Sequence, residues 1–420
     1  MSLLAAASVL VLRGATLIDG TGASPIEDSL LVVRDGRIVS VSRVTPEALA
    51  ALPAGTAFID AAGKWIVPGF VDAHVHAESD ADLHEMLRWG VTSVRLMAED
   101  VAASKALSER AARAGSGMPD LFPAAPIFTT KGGWWDSQPD DSNLDRRPAT
   151  PAAAREAVRK ARALGSSEIK VMLDDMAWCR APKAPLDKVR PEILEALLSE
   201  ARAQEMRASV HAPNLADAKA AVAAGASALA HGVLEEIDDA TIAAMKKNGT
   251  FYIPTMDIFE FLADTRRFLD DVLSDPGLVL KPDVVAQYRA SGYSDGYRER
   301  YPNFANVEKR LPALRANLRR LKAAGVPVAL GTDMWAFPGS GVSIEMDLYV
   351  RAGWTPLEAL RAATQTAARS LSIDGDRGTL EAGKRADFLI LGQDPLANIR
   401  NVRRIRAIYK AGVEVTPPAR

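Results

Sequence analysis

Four of the five histidines in the chain follow short apolar segments, and two of these four are separated by a single residue. Alternate residues of a β-strand point to the same side, so the imidazoles of His74 and His76 can reach one metal ion. His211 and His231 end two later segments, and Asp333 follows another. A single histidine at a strand end is usually structural, whereas four at equivalent ends of repeated segments indicate a metal site. These ligands favour Zn²⁺, with Mn²⁺, Co²⁺ and Fe²⁺ as alternatives.

Repeated βα units are expected to position these residues. Short apolar segments alternate with helical stretches rich in Ala, Leu, Glu, Lys and Arg, a pattern typical of a parallel sheet. The predicted strands span residues 70–75, 91–97, 122–129, 168–173, 207–211, 226–231, 251–255 and 326–332. Eight such units predict an α/β fold of the (β/α)₈ TIM-barrel type, in which the chemistry lies at the carboxyl ends of the strands.

The two ends of the chain differ from this pattern. Residues 29–33 and 38–44 are predicted strands, and Asp35-Gly36 between them indicates a hairpin. Further strands are predicted at residues 386–391 and 405–413. We therefore expect a small β-sandwich domain built from residues 1–66 and 379–420, and a hydrolase barrel over residues 67–378. A stretch at about 257–310, too long for a simple loop, is expected to form a lid or an oligomer contact.

Composition excludes several classes of partner. The 420 residues include 51 basic and 53 acidic side chains, so the near balance of charge argues against nucleic acid as a partner. No apolar run reaches the roughly 20 residues of a membrane span. The single cysteine, Cys179, suits a reducing compartment. We expect a cytoplasmic enzyme with a small-molecule substrate, although a trimmed secretory leader is an alternative.

Two longer motifs carry a family resemblance. The segment VPGFVDAHVH (residues 67–76) closely resembles the opening motif of the amidohydrolase superfamily, and GTLEAGKRADF (residues 378–388) is similar to its C-terminal signature. The resemblance covers nearly the whole chain. It is strongest to the imidazolonepropionase-related branch, which includes enzymes similar to Xaa-Pro dipeptidase.

The resemblance implies a binuclear site. A lysine at the end of the fourth strand, here Lys170, is carboxylated by CO₂ in related enzymes and bridges two metals. His74, His76 and Asp333 would then bind the first ion, and His211 and His231 the second. Such ions lower the pKa of bound water to near neutrality. Asp333 would act as general base and then as general acid during cleavage of an amide bond. Relatives are often homo-oligomers.

The chain departs from the pattern of this branch at two places that line the pocket in relatives. Gly132-Gly133 is followed by Trp134 and Trp135 where Gly-Gly-His usually follows the third strand, so tryptophan takes the place of the histidine, and Leu173-Asp174-Asp175 replaces a small Ser-Gly-Gly. The tryptophans could stack on an aromatic group or pack under the lid. Asp174 and Asp175 could bind a cationic group or orient a metal ligand. Contacts with a substrate carboxylate are predicted for two further residues, Tyr252 and Arg298.

Several functions remain open at this point. A peptide or N-acyl amino acid is the expected substrate, but a lactone, an ester or an organophosphate could use the same site. A mononuclear deaminase usually carries His-x-x-Glu after the fifth strand, whereas this chain has Asn214, which cannot shuttle a proton. Imidazolonepropionase would leave Lys170 without a role. A non-catalytic scaffold would typically have lost ligands that this chain retains.

Overall fold

The computed structural model describes residues 9–416 except residues 54, 78, 99, 114, 138–143, 181–184, 292–294, 297, 298, 300 and 301. The chain begins with strands β1 (Val9–Leu17), β2 (Ile26–Arg34), β3 (Arg37–Arg43), β4 (Ile59–Asp60) and β5 (Trp65–Pro68), and with a helix at Pro46–Ala50. β2 pairs antiparallel with β3, and Arg34 lies opposite Arg37 across the turn. The predicted Asp35-Gly36 hairpin is therefore confirmed.

Eight strands of two parallel sheets follow. They are β6 (Phe70–Val75), β7 (Val91–Met97) and β8 (Asp120–Ala124) in one sheet, and β9 (Ile127–Phe128), β10 (Glu168–Met172), β11 (Arg207–His211), β12 (Ala228–Ala230) and β13 (Phe251–Ile253) in the other. β8 and β9 lie on either side of Ala125 and Pro126, and together they correspond to the single strand predicted at 122–129. The two sheets meet there, where the Ala125 amide donates to the Glu168 carbonyl at 2.9 Å. Strands β12 and β13 are shorter than predicted, because His231 and Thr255 just beyond them adopt positive φ angles of 77° and 45°.

The last predicted barrel strand, residues 326–332, is not a regular strand, yet it joins the two remaining sheet edges. On the β13 side, the Ala329 amide donates to the Tyr252 carbonyl at 3.0 Å. On the β6 side, the Ala73 amide donates to the Leu330 carbonyl at 2.9 Å. These bonds close the ring of strands that the (β/α)₈ prediction requires.

Gly331 permits this closure. A Cβ atom at this position would lie 2.5 Å from Cγ2 of Ile253 and 2.9 Å from the backbone nitrogen of His74. Such distances are too short for non-bonded atoms in a packed interior. A side chain here would therefore push the eighth segment away from its neighbours on both sides.

The barrel strands are joined by helices on the outside. Thr150 and Thr355 cap two of these helices, each followed by proline at the first helical position, an arrangement that starts a helix efficiently. The helices span Asp80–Arg88, Val101–Ala111, Pro151–Ala163, Pro191–Ala203, Leu215–Ala223, Asp239–Asn248, Val307–Ala324, Ser340–Arg351, Pro356–Arg361 and Ala367–Ser370. Within the described residues, no helix is both long and apolar enough to cross a bilayer.

The C-terminal strands return to the N-terminal ones. β14 (Phe388–Leu391), β15 (Ile405–Lys410) and β16 (Val413–Glu414) extend the sheet in the order β16-β15-β14-β5-β1-β2-β3, with β4 beside β1. Buried side chains from both chain ends, including Leu31, Ile38, Phe388 and Tyr409, form one apolar cluster. The two chain ends therefore share one sheet, with an apolar core separate from that of the barrel.

The stretch predicted as an insertion at 257–310 is largely helical. Its helices span Met256–Ala263, Thr265–Leu273 and Pro282–Ser291, and a short 3₁₀ turn covers Pro302–Asn306. Phe259, Phe261, Phe268 and Phe304 are buried in the main core. The stretch is thus anchored on the barrel, and its action as a lid remains a prediction.

A buried ion pair fills part of the barrel interior. Nε of Arg95 on β7 donates to Oε2 of Glu168 on β10 at 3.1 Å, and the Ser209 hydroxyl donates to Oε1 of Glu168 at 2.5 Å. Arg95 also donates to the carbonyls of Ala73 and Ser370. Arg95 is fully buried, so removing it would leave the Glu168 carboxylate without its hydrogen-bonded cation, and only the more distant Arg207, 3.9 Å away, would remain.

Replacing Arg95 with methionine is expected to lower the free energy of unfolding by about 3–5 kcal/mol, the usual cost of breaking a buried ion pair on one side. Urea denaturation followed by circular dichroism measures this change. Lys105, paired with Glu109 where both side chains are 64% exposed, provides the control. Lys105→Met should change the stability by less than about 1 kcal/mol, and equal effects of both variants would contradict the structural role of Arg95.

Candidate metal centre

A buried carboxylate sets the positions of the first pair of histidines. Asp72 on β6 accepts hydrogen bonds from the His74 amide (3.0 Å), the Thr332 amide (3.0 Å) and the Thr332 hydroxyl (2.7 Å). It thereby ties the end of β6 to the eighth segment. Sequence reasoning missed this residue, although its alternation with His74 and His76 on one strand face was a visible signal.

The carboxylate of Asp333 lies among three imidazoles. Its Oδ1 atom is 3.7 Å from Nε2 of His74 and 3.6 Å from Nε2 of His76, and its Oδ2 atom is 3.8 Å from Nδ1 of His231. These separations are too long for hydrogen bonds. They suit ligands that share an ion, because two donors at about 2.1 Å from Zn²⁺ lie roughly 3.4 Å apart at a tetrahedral angle. His74, His76 and Asp333 form a group that could hold a metal ion.

The remaining histidines continue the same arc. The His231 ring lies 4.5 Å from the His74 ring and 4.5 Å from the His211 ring, measured between centroids. Nδ1 of His231 is also 3.1 Å from the hydroxyl of Thr255. His231, Thr255 and Asp333 all adopt positive φ angles, which are uncommon for residues other than glycine and concentrate at functional sites. This strain was not visible in the sequence.

Asp174 orients His211. Its Oδ2 atom lies 3.0 Å from Nε2 of His211 and also accepts a hydrogen bond from the Trp178 indole at 2.9 Å. Its Oδ1 atom accepts from the Met176 amide and from the side chain of Asn214. Nδ1 of His211 is buried without a hydrogen-bond partner, so it is the nitrogen left for a metal. This is the ligand-orienting alternative considered for Asp174.

Lys170 extends from β10 into the same interior. Its side-chain nitrogen is buried and has no hydrogen-bond partner. Burial lowers the pKa of the Lys170 amine to about 7, an effect that the Arg95 guanidinium increases and the Asp333 carboxylate opposes. A neutral amine in this position has the nucleophilic form that reaction with CO₂ requires.

The protonation states of the other groups also fit a cation. Burial lowers the pKa of all four imidazoles, that of His76 to about 4, so they are in the neutral form that binds metals. Both ring nitrogens of His74 are buried without hydrogen-bond partners. Buried polar atoms without partners are costly, and a divalent ion would satisfy the His74 nitrogen that faces Asp333. The residues present therefore fit a metal site.

The residues predicted to bind substrate lie in different places. Trp135 lies next to the site, with its ring 5.8 Å from that of His76, whereas Trp134 packs partly against the main core. The Asp175 carboxylate accepts from the Ala177 amide and pairs with Lys188 at 3.3 Å, away from the histidines.

Tyr252 and Arg298 are the two residues predicted to contact a substrate carboxylate. Tyr252 is fully buried, and its hydroxyl accepts a hydrogen bond from the Val233 amide at 2.9 Å. It is unavailable to a substrate carboxylate, which corrects the prediction made for it. From the sequence alone, a strand residue that packs in the core cannot be distinguished from one that lines a pocket. Arg298 lies outside the described residues.

The two residues interpreted as structural agree with that interpretation. His84 lies in the helix Asp80–Arg88, and its Nε2 atom is 3.1 Å from the Ser116 carbonyl oxygen. Cys179 is buried, and burial raises the pKa of its thiol to about 12. A thiol with so high a pKa is not a nucleophile at neutral pH.

Known proteins resemble the chain over most of its length. A model described as "Amidohydrolase family" matches residues 65–415. The ochratoxinase of Aspergillus niger is 26% identical over 447 aligned residues, which cover 96% of this chain and 85% of the relative. The imidazolonepropionase of Mesorhizobium japonicum is 27% identical over 427 aligned residues, which cover 90% of each protein.

A solved structure confirms the predicted fold class. A Xaa-Pro dipeptidase with bound methionine superimposes with a TM-score of 0.77 at 21% sequence identity, covering 97% of this chain and 99% of that chain. This likeness concerns the fold. Together with the two relatives, it confirms the resemblance predicted from residues 67–76 and 378–388.

Replacing Asp174 with asparagine is expected to weaken metal affinity about 10- to 100-fold, because the amide nitrogen of asparagine cannot accept the hydrogen bond that fixes His211. Competition with a chromophoric chelator, starting from metal-free protein, measures the affinity. Asp175→Asn is the matched control, since Asp175 contacts Lys188 and not a histidine. Asp174 would have no orienting role if both variants bound metal as tightly as the unmodified protein.

Proposed function

The chain belongs to the amidohydrolase family, and from this membership we propose that it hydrolyses an amide C–N bond in a small peptide or N-acyl amino acid, using two divalent metal ions. The observation that carries the proposal is the Asp333 carboxylate, which lies 3.6–3.8 Å from nitrogens of three histidines on two other barrel segments. A carboxylate with this surrounding can bind an ion through one oxygen and exchange a proton through the other.

The ligands divide between two positions. His74, His76 and Asp333 would hold one ion, His211 and His231 the other, and a carboxylated Lys170 would bridge the two. Zn²⁺ is the expected metal, because neutral imidazoles dominate the set. Ions bound there would supply a nucleophile at neutral pH and a positive charge for the oxygen of the scissile carbonyl.

Proton transfer is assigned to Asp333. Its Oδ2 atom is 3.8 Å from His231, too far for a hydrogen bond, so it can accept the proton of an attacking water molecule. The same oxygen can then protonate the leaving nitrogen, which an amine needs in order to depart. Asp72 supports this role, because its bonds to Thr332 fix the backbone just before Asp333.

The amide assignment agrees with the names of the relatives. The dipeptidase acts, by its name, on Xaa-Pro dipeptides, and the ochratoxinase on ochratoxin. Deamination is disfavoured, because the side chain of Asn214 donates hydrogen bonds to Asp174 and Asp217 and has no acidic proton to transfer. Lactones, esters and phosphotriesters remain the alternatives that a substrate screen must test.

A screen of N-acyl amino acids, Xaa-Pro and other dipeptides, aryl amides, lactones and phosphotriesters is expected to give the highest kcat/KM with an amide that carries a free carboxylate. Liberated amine, measured by ninhydrin or mass spectrometry, reports the cleavage. Turnover of esters or phosphotriesters alone would reject the proposal.

The same screen needs a variant that separates chemistry from metal binding. Asp333→Asn should keep most of the metal, measured by inductively coupled plasma mass spectrometry, because an amide oxygen can still bind an ion. It should lose at least about 100-fold in kcat, the scale of a missing general base. Near-normal turnover in this variant would exclude Asp333 from proton transfer.

Lys170→Ala tests the second ion. The unmodified protein is expected to bind about two ions per chain, and the variant to bind fewer and lose turnover, because the bridging ligand is missing. Added propionate should restore part of the activity by supplying a carboxylate in the vacated space. Full activity at one ion per chain, or a fully active Lys170→Ala variant, would contradict the binuclear arrangement.

A further inference from the structure

Trp135 is presented at the edge of the candidate metal centre. Its indole ring lies 5.8 Å from the His76 imidazole, measured between centroids, at an interplanar angle of 35°. On another side, the ring of Trp134 meets it in an edge-on contact at 5.8 Å. Both tryptophans are half-buried. Trp134 packs against the core, so the Trp135 ring lies between Trp134 and His76, a candidate metal ligand.

The backbone holds Trp135 in an unusual conformation. Its φ angle is +73°, a region that bulky side chains rarely adopt. The surrounding turn fixes it: the Thr129 hydroxyl donates to the Trp134 carbonyl at 2.6 Å, and the Gly132 amide donates to the Asp136 carboxylate at 2.8 Å. Strain that the surroundings enforce in this way is characteristic of residues that serve a site.

The Asp136 carboxylate that accepts this bond is itself anchored. Arg147 forms an ion pair with it and also donates to the Asp136 carbonyl. On the other flank, Gly133 forms a parallel bridge with Asp187, next to the segment that leads into the helix Pro191–Ala203. The indole is therefore carried on a rigid loop, and a rigid aromatic surface binds a flat group with little loss of conformational freedom.

Aromatic rings also lie beside His231, further along the histidine arc. Phe259 meets the His231 ring edge-on at 6.5 Å, and Trp178 packs on Phe259 at 6.1 Å. A scissile amide placed over the ligands would thus have Trp135 beside one of its substituents. Indole rings attract other aromatic rings more strongly than aliphatic groups of the same size, through their edge and face charges.

We propose that Trp135 binds an aromatic ring beside the scissile amide, either attached directly to its carbonyl or two carbons from its nitrogen, so that the preferred substrates are N-acyl amino acids with an aromatic acyl group or an aromatic side chain. This inference rests on the proposed amide hydrolysis and specifies its substrate class. Trp135 is a specificity-determining residue in this scheme, and the metal ligands perform the chemistry whichever acyl group is present.

Two matched substrate pairs test the proposal. N-benzoyl-alanine is compared with N-cyclohexanecarbonyl-alanine, and N-acetyl-phenylalanine with N-acetyl-cyclohexylalanine. The unmodified enzyme should favour the aromatic member of at least one pair by about 10-fold in kcat/KM. Trp135→Leu should abolish most of this ratio while changing kcat/KM for the aliphatic member less than about 3-fold. Trp135→Phe should retain part of the ratio.

A control and a binding measurement keep the outcomes separate. Trp354 contacts Tyr349 beyond the end of the helix Ser340–Arg351, so Trp354→Phe should leave the ratio unchanged. Binding of benzoate and of cyclohexanecarboxylate, measured by isothermal titration calorimetry, should show the same dependence on Trp135. Metal content and circular dichroism confirm that each variant is folded.

Two results would overturn different statements. If amides are cleaved but Trp135→Leu leaves the aromatic-to-aliphatic ratio unchanged, the aromatic subsite is wrong and the proposed amide hydrolysis stands. If no amide is cleaved, the proposed function fails. The aromatic subsite is then tested by the binding of benzoate and of cyclohexanecarboxylate. Equal benzoate preference in the unmodified protein and in Trp135→Leu would then reject it.

Discussion

Closure of the barrel by residues 326–333 is the constraint on which the site depends. The Asp333 amide donates to the His74 carbonyl at 2.8 Å, so the last ligand is attached directly to the backbone of the first. Asp72 strengthens the same junction through Thr332. Gly331 makes the approach possible, since a side chain there would collide with β6 and β13. If this segment separated from β6, Asp333 would move away from all three histidines at once.

The charge of the groups buried beneath the candidate ligands is a second constraint on the site. Lys170, His74, His211 and His231 are buried beside the partly buried His76 and Asp333, and Glu168, two residues before Lys170, is neutralised by Arg95. The acid that lies nearest in sequence is thus not free to pair with Lys170, whose nitrogen has no hydrogen-bond partner. Burial of so many donors without partners is unfavourable in the metal-free protein. Binding of divalent ions would remove this unfavourable energy, and the gain would contribute to the metal affinity that we propose.

Sequence reasoning predicted the parts of this arrangement that depend on periodicity. The bounds of the strands at residues 70–75, 91–97 and 207–211 are confirmed, because each is a short segment of mostly apolar and small residues that the barrel buries on both faces, except at Arg207. The predicted ligands could be found because they follow such runs. Thr255 could not be found, because its contact with His231 depends on a positive φ angle that no residue type signals. The substrate contact predicted for Tyr252 was wrong, because core residues and pocket-lining residues show the same pattern in the sequence.

The two departures from the family motifs acquire a common meaning in the structure. Trp135, in one altered segment, lies beside His76, and Asp174, in the other, lies beside His211. His76 and His211 are at opposite ends of the histidine arc, which runs through His74 and His231. Asp174 is buried and bonded on both oxygens, so it acts on its histidine and is not available to a substrate. Trp135 is half-buried and presents its ring, so it can act on a substrate. The candidate metal centre therefore departs from the family pattern at both ends, at one end in the support of His211 and at the other in the proposed aromatic subsite.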